Sequence, residues 1–173
     1  MKRIAIFLLS AGVLLALQLR AQSPGNPASP TCLSATTLDE LIEALDDAVS
    51  GPADKDRICL RALLPEARLS PMGKAADGNF GPHILAVDRW IEAVRKRGSA
   101  ASYERQVKVS SDVHAHIAHL WSTYEIRPTL DGKAQVRGIN SIEAVNDGTR
   151  WRELEIQCQA ETPEEPVPAR YLP

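Results

Sequence analysis

Two runs of alternating apolar and polar residues meet at Asp147-Gly148, and this junction constrains the fold more than any other feature of the chain. An Asp-Gly pair between such runs predicts a β-hairpin, because both residues tolerate the positive φ of a type I′ turn. A second Asp-Gly pair, Asp131-Gly132, predicts another turn just before it. Helical patterns come earlier. Leu38, Leu41, Ile42, Leu45 and Val49 form one apolar stripe behind a capping box, Thr37-Leu38-Asp39-Glu40, and Ser50-Gly51-Pro52 ends it. A second helix is expected over residues 54–64. A third carries Val87, Trp90, Ile91 and Val94 and closes on Arg95-Lys96-Arg97-Gly98. Helices first and a meander after them predict an α+β domain.

The first residues set the compartment. Met1-Lys2-Arg3, an apolar run to Leu19 and a small residue at Ala21 read as a secretory signal peptide over residues 1–21. The apolar run is shorter than the roughly 20 residues of a spanning helix, so an exported protein with no membrane segment after cleavage is expected. Lys2, Arg3 and Arg20 leave with the leader, so 17 of the 20 basic residues face 22 acidic ones. A mildly acidic domain lacks the basic stripe that nucleic acid requires. Residues 22–36, rich in Pro, Ser and Gly, read as a flexible linker, and residues 161–173 as a proline-rich arm. Cys32, Cys59 and Cys158 have no CxxC or Cys/His spacing, so neither a metal centre nor a cofactor is expected.

Side-chain alternation sorts the strands. In the last one, Leu154, Ile156, Cys158 and Ala160 are expected to face the core, with Glu153, Glu155, Gln157 and Gln159 in water. In the strand before it, turning Ile142 and Ala144 inward brings Asn140 inward as well, either satisfied by backbone or waiting for a ligand. In the run 113–127 the expected inward set is Leu120, Ser122, Tyr124 and Ile126. That leaves Trp121 outside and Glu125 with Arg127 as a solvated pair. Tyr124 is then a core tyrosine or a hydroxyl beside a cavity. Trp90 is either core or a pocket wall. His114 and His116 share a strand face that His119 does not, which argues against a three-histidine metal site.

Several segments resemble secreted bacterial members of the nuclear transport factor 2-like (SnoaL-like) superfamily. They are Thr37-Leu38-Asp39, Leu63-Leu64-Pro65 with Ala67-Arg68-Leu69, Ala118-His119-Leu120-Trp121-Ser122-Thr123-Tyr124-Glu125, Arg137-Gly138-Ile139-Asn140-Ser141, Asn146-Asp147-Gly148 with Arg150-Trp151, and the closing Pro166-Val167-Pro168 with Tyr171. The resemblance spans residues 37–172, with the domain itself over 37–160. It implies a cone-shaped, curved, mixed β-sheet wrapped around three N-terminal helices, and a homodimer through the outer sheet face. Cys59 and Cys158 stand where aromatics would be expected, which implies either a larger cavity with two buried thiols or a bond between them. Arg152 and Glu153 replace apolar residues beside Trp151, which weakens that dimer face.

Enzymes of the superfamily carry an acid or histidine base inside the cone, yet none of their motifs matches here residue by residue. The pocket candidates are Trp90, His116, Tyr124, Asn140 and Cys158, with His116 as the inward base. The expected function is an exported, non-catalytic module that takes a small apolar ligand or associates with itself. The alternative is an acid–base enzyme acting on a small carbonyl compound.

Overall fold

A computed structural model describes residues 31–173, so the expected signal peptide and most of the linker lie outside the described residues. Three helices, α1 (Leu38–Val49), α2 (Ile58–Leu63) and α3 (Val87–Arg95), pack against one sheet. Its strands are β1 (Arg68–Lys74), β2 (Phe80–Pro82), β3 (Leu85–Ala86), β4 (Tyr103–His114), β5 (Ile117–Arg127), β6 (Val136–Asn146) and β7 (Trp151–Ala160). The strand order is β2-β1-β7-β6-β5-β4, with β3 also paired to β1. β1 runs parallel to β7 while the other pairs are antiparallel, so the sheet is mixed. The α+β class and the curved sheet around three helices are as expected. Among the described residues no helix is long and apolar enough to cross a membrane.

α1 begins where its capping signal lies. The Glu40 amide donates to Thr37 Oγ1 at 3.2 Å. The Glu40 carboxylate, however, reaches past the cap to the Thr36 amide at 2.7 Å and the Thr36 hydroxyl at 2.6 Å. Leu41, Ala44, Leu45 and Ala48 are buried on one helix face and meet Leu60, Leu64, Ile91, Leu120, Ile142 and Ile156 in a single core. α2 is shorter than expected, because residues 54–57 form a loop instead of its first turn.

Residues 31–36 are not a free linker. Cys32 is bonded to Cys59 on α2, Ala35 is buried, and the Ala35 carbonyl accepts the Trp151 amide at 2.7 Å. Both expected states of Cys59, a free thiol or a partner of Cys158, are therefore corrected. The free cysteine is Cys158.

Two further corrections concern turns. β4 runs unbroken through Ser110-Ser111-Asp112, and the chain reverses at Ala115-His116, where Ala115 takes a φ of 50°. At the Asp147-Gly148 junction only Gly148 has positive φ, at 95°, so the turn is not type I′. Asp147 instead accepts the Thr149 amide, the Thr149 hydroxyl and the Arg150 amide through Oδ1, in a wider loop closed by Asp147 N–H to the Arg150 carbonyl. These bonds, the Thr149 hydroxyl foremost, hold its carboxyl well below the usual carboxylate range.

β-bulges reverse the inward and outward sets midway along two strands. Val107 is unpaired between Gln106↔Tyr124 and Lys108↔Thr123. Leu154 is unpaired between Ala144↔Glu153 and Glu143↔Glu155. Strict alternation fails at the second bulge. Leu154 is 47% exposed while Glu153 is wholly buried, and Ile156 returns to the core. The expected inward Leu154 and outward Glu153 are thus exchanged.

The arm folds back on the outer sheet face. The Thr123 hydroxyl donates to the Tyr171 carbonyl at 2.6 Å, the Tyr171 ring lies 5.8 Å from that of Trp121, and Val167 is buried. Glu125 is buried too and binds Arg127 at 2.7 Å and Arg137 at 2.8 Å, which corrects the solvated pair.

Tyr124 lies across from Gly138, and a methyl group at that position would collide with the Gln159 carbonyl and sit 2.6 Å from the Tyr124 hydroxyl. Gly138→Ala is therefore expected to cost about 1–3 kcal/mol through overpacking. A urea midpoint equal to the parent protein's would contradict that close approach.

Candidate functional site

The cross-strand register builds the site. Ser122 on β5, Asn140 on β6, Cys158 on β7 and Pro71 on β1 are successive partners across the inner face. Gln106 on β4, Tyr124 and Gly138 form the neighbouring row. Directly opposed residues point to the same side of a sheet, so both rows face the helices. Over them the C-terminal half of α3 and the turn after α1 leave a cavity of about 250 Å³. Its walls include Trp90 and Val94 of α3, Val49 at the end of α1, and Tyr124, Asn140 and Cys158 on the floor.

Four of the five sequence candidates thus meet at one cavity, and His116 does not. It sits exposed in the β4–β5 turn, because the strand that was expected to carry it inward has already reversed. His119 faces outward and pairs with Ser141 Oγ at 3.0 Å. Among the described residues no three His, Cys, Asp or Glu side chains converge as metal ligands.

A polar seam runs beside the cavity. Asn140 Nδ2 donates to Glu104 Oε1 and Gln106 Oε1, each at 3.2 Å. Gln106 Nε2 donates to Glu104 Oε1 at 3.0 Å and to Asp46 Oδ1 at 3.3 Å, while its oxygen accepts the Ser122 hydroxyl at 2.6 Å. The Gln106 amide adds a bond to Asp46 Oδ2 at 3.1 Å. Asn140 is thus satisfied by side chains, where the sequence left open either backbone bonding or a ligand. Glu104 also lines the cavity. Its loss of solvent raises its pKa, against the lowering effect of its bonds to Asn140 and Gln106. Desolvation likewise pushes Asp46 up to about 7 and the Cys158 thiol up to about 12. A thiol held neutral in this way is a poor nucleophile. The Tyr124 hydroxyl has no hydrogen-bond partner among the described residues and lines the cavity, and burial raises its pKa as well.

Sequence reasoning missed Glu104, Asp46 and Arg57. Asp46 left a signal, since it falls between Ile42 and Val49 at the i+4 and i−3 positions of the apolar stripe. Glu104 and Gln106 share a strand face with each other, but nothing local says that this face is the inner one. Arg57 precedes α2 and is buried, with Nη1 on the Ala48 carbonyl at 2.8 Å and Nη2 on the Pro52 carbonyl at 3.3 Å.

No family model and no curated protein matches the sequence. Solved structures do resemble the fold. The Kfla4162 protein from Kribbella flavida superposes with a TM-score of 0.52 at 16% identity, over 72% of this chain and 88% of that one. A protein described as a putative ketosteroid isomerase from Parabacteroides distasonis gives 0.50 at 13% identity, over 77% of this chain and 98% of that one. An NTF2-like protein of unknown function from Silicibacter pomeroyi gives 0.48 at 17%, over 72% and 92%. With its helices held in the concavity of an open mixed sheet, the chain shares the fold of the Kribbella flavida and Parabacteroides distasonis proteins.

Proposed function

We propose that this protein is an exported module that binds a small, mostly apolar molecule in the cavity between α3 and the inner sheet face. The observation carrying this reading is the cavity itself. Its volume of about 250 Å³ lies near the small end of ligand sites, and its lining joins apolar residues such as Val49, Trp90 and Val94 to the unpartnered Tyr124 hydroxyl, the Asn140–Glu104 pair and the side chains of Arg57 and Arg97. Native mass spectrometry of protein purified from the periplasm tests it, together with export, cleavage after Ala21 and oligomeric state. The expected spectrum shows a cleaved chain carrying a co-purified small molecule that Tyr124→Phe weakens and that filling the cavity with Ala93→Trp abolishes. A bound mass untouched by Ala93→Trp would locate the ligand elsewhere.

A second reading is acid–base chemistry on a small carbonyl compound, the activity suggested by the isomerase description of the Parabacteroides distasonis protein. It draws support from Glu104, a carboxyl of raised pKa in the same cavity as a free tyrosine hydroxyl. Glu104 replaces His116 as the base in that reading. Self-association through the outer face remains part of the proposal, with the arm as well as the sheet in the contact.

A further inference from the structure

On the cavity wall lies a buried guanidinium that pairs with no carboxylate among the described residues. Arg57 is 1% exposed, lines the cavity and stacks its guanidinium 5.5 Å from the centre of the Trp90 ring. It forms no ion pair with any described carboxylate. One of its nitrogens caps the Ala48 carbonyl at the end of α1, where the helix dipole is negative, and another holds the Pro52 carbonyl in the loop that follows, which accounts for its structural role. Its Nε–H is buried with no acceptor. Arg97, also on the cavity wall, has no ion pair either, and with Arg95 it adds like charge that, after desolvation, lowers the Arg57 pKa. Glu104, the carboxyl on the described wall, has its pKa raised by desolvation against the lowering effects of Asn140, Gln106 and the charge of Arg97, and it forms no ion pair with Arg57 or Arg97.

A buried guanidinium without a counter-charge is costly, and helix-end carbonyls offset only part of that cost. Resting on the binding reading above, we infer that the ligand is a small apolar molecule bearing one anionic group, a carboxylate in the simplest case, oriented toward the Arg57–Trp90–Arg97 wall. Its apolar body lies against Val49, Val94, Leu85 and Ile126. Arg97 is exposed at the wall and can fold onto the anionic group. Arg57 acts mainly through its field, since almost none of its surface is open.

Isothermal titration of the full oxidised chain with cyclohexanecarboxylate and with cyclohexylmethanol, at pH 7 and low salt, tests this inference. These probes share an apolar body and differ in charge. The carboxylate should bind at least tenfold tighter, and 0.5 M sodium chloride should erode that preference. Arg97→Gln, on an exposed side chain, should reduce the preference about fivefold, and Glu104→Gln should leave it intact or raise it. Arg57→Met should abolish it; if that variant does not fold, the Arg97→Gln and salt results decide. Equal affinity for the two probes overturns the anionic inference and leaves the binding reading standing. Binding of neither probe overturns both. A preference unchanged in Arg97→Gln places the charge recognition elsewhere and overturns the inference.

Discussion

Replacing Glu153 with methionine should stabilise the protein at pH 8 by several kcal/mol. Glu153 is fully buried on β7, both carboxylate oxygens lack a hydrogen-bond partner, and it sits among core side chains such as Ile142 and Ala144. Desolvation is the main cause that pushes its pKa up to about 8, with Glu104 and Asp46 adding repulsion. The sign follows from proton binding. Between the ordinary value near 4.5 and about 8, the folded state holds a proton that the unfolded state has released, so stability falls as pH rises through this window. Each unit of displacement corresponds to about 1.4 kcal/mol, so the full effect is on the order of 3–5 kcal/mol. Asp46, raised to about 7, adds a slope of the same sign between roughly pH 4 and 7. Urea denaturation at pH 5 and pH 8 should therefore find the parent protein more stable at pH 5. Glu153→Met should remove a large part of that difference, leaving the parts due to Asp46 and Glu104, minus any strain from repacking. A parent protein that is as stable at pH 8 as at pH 5 would refute a buried, unpaired Glu153.

The second large effect concerns the disulfide. Cys32 and Cys59 are 27 residues apart, and a closed loop of that size restricts the unfolded chain by about 3–4 kcal/mol. The bond also fastens residues 31–36 against α2, which holds Ala35 in the core and its carbonyl on the Trp151 amide. Cys59→Ser, or reduction with dithiothreitol, should lower the melting temperature by about 10 °C or more. The thiol of Cys158, half-buried on the cavity floor and held neutral, should react only slowly with maleimide until the protein unfolds. A melting temperature that ignores reductant would mean that the bond adds nothing to the fold.

The helices and strands were legible because their signals are local. The stripe from Leu38 to Val49 and the cap at Thr37 describe α1 before any partner is known, and the alternation of residues 117–127 turns Leu120, Ser122 and Tyr124 inward as found. Strand alternation singled out Tyr124, Asn140 and Cys158 and the helical stripe of α3 singled out Trp90, and all four line one cavity. His116 failed for a topological reason. Ser110-Ser111-Asp112 looks like a break, but β-structure supported by a neighbouring strand runs through it, and the reversal falls on Ala115-His116, which has no turn chemistry of its own. Glu153 failed because one unpaired residue, Leu154, changes the face of every side chain on one side of it.

Periodicity, capping and turn residues by themselves determined the α+β class, the helix faces and the inward rows of β5 and β6, since each depends on interactions within a few residues. Only the tertiary structure decided the two bulges, the choice of Cys32 as the partner of Cys59, the arm lying over Trp121, the unpaired guanidinium of Arg57 and the unbonded carboxyl of Glu153. Those outcomes depend on how a twisted sheet closes around its helices, where contacts between residues far apart in the chain outweigh the local preferences of any one segment.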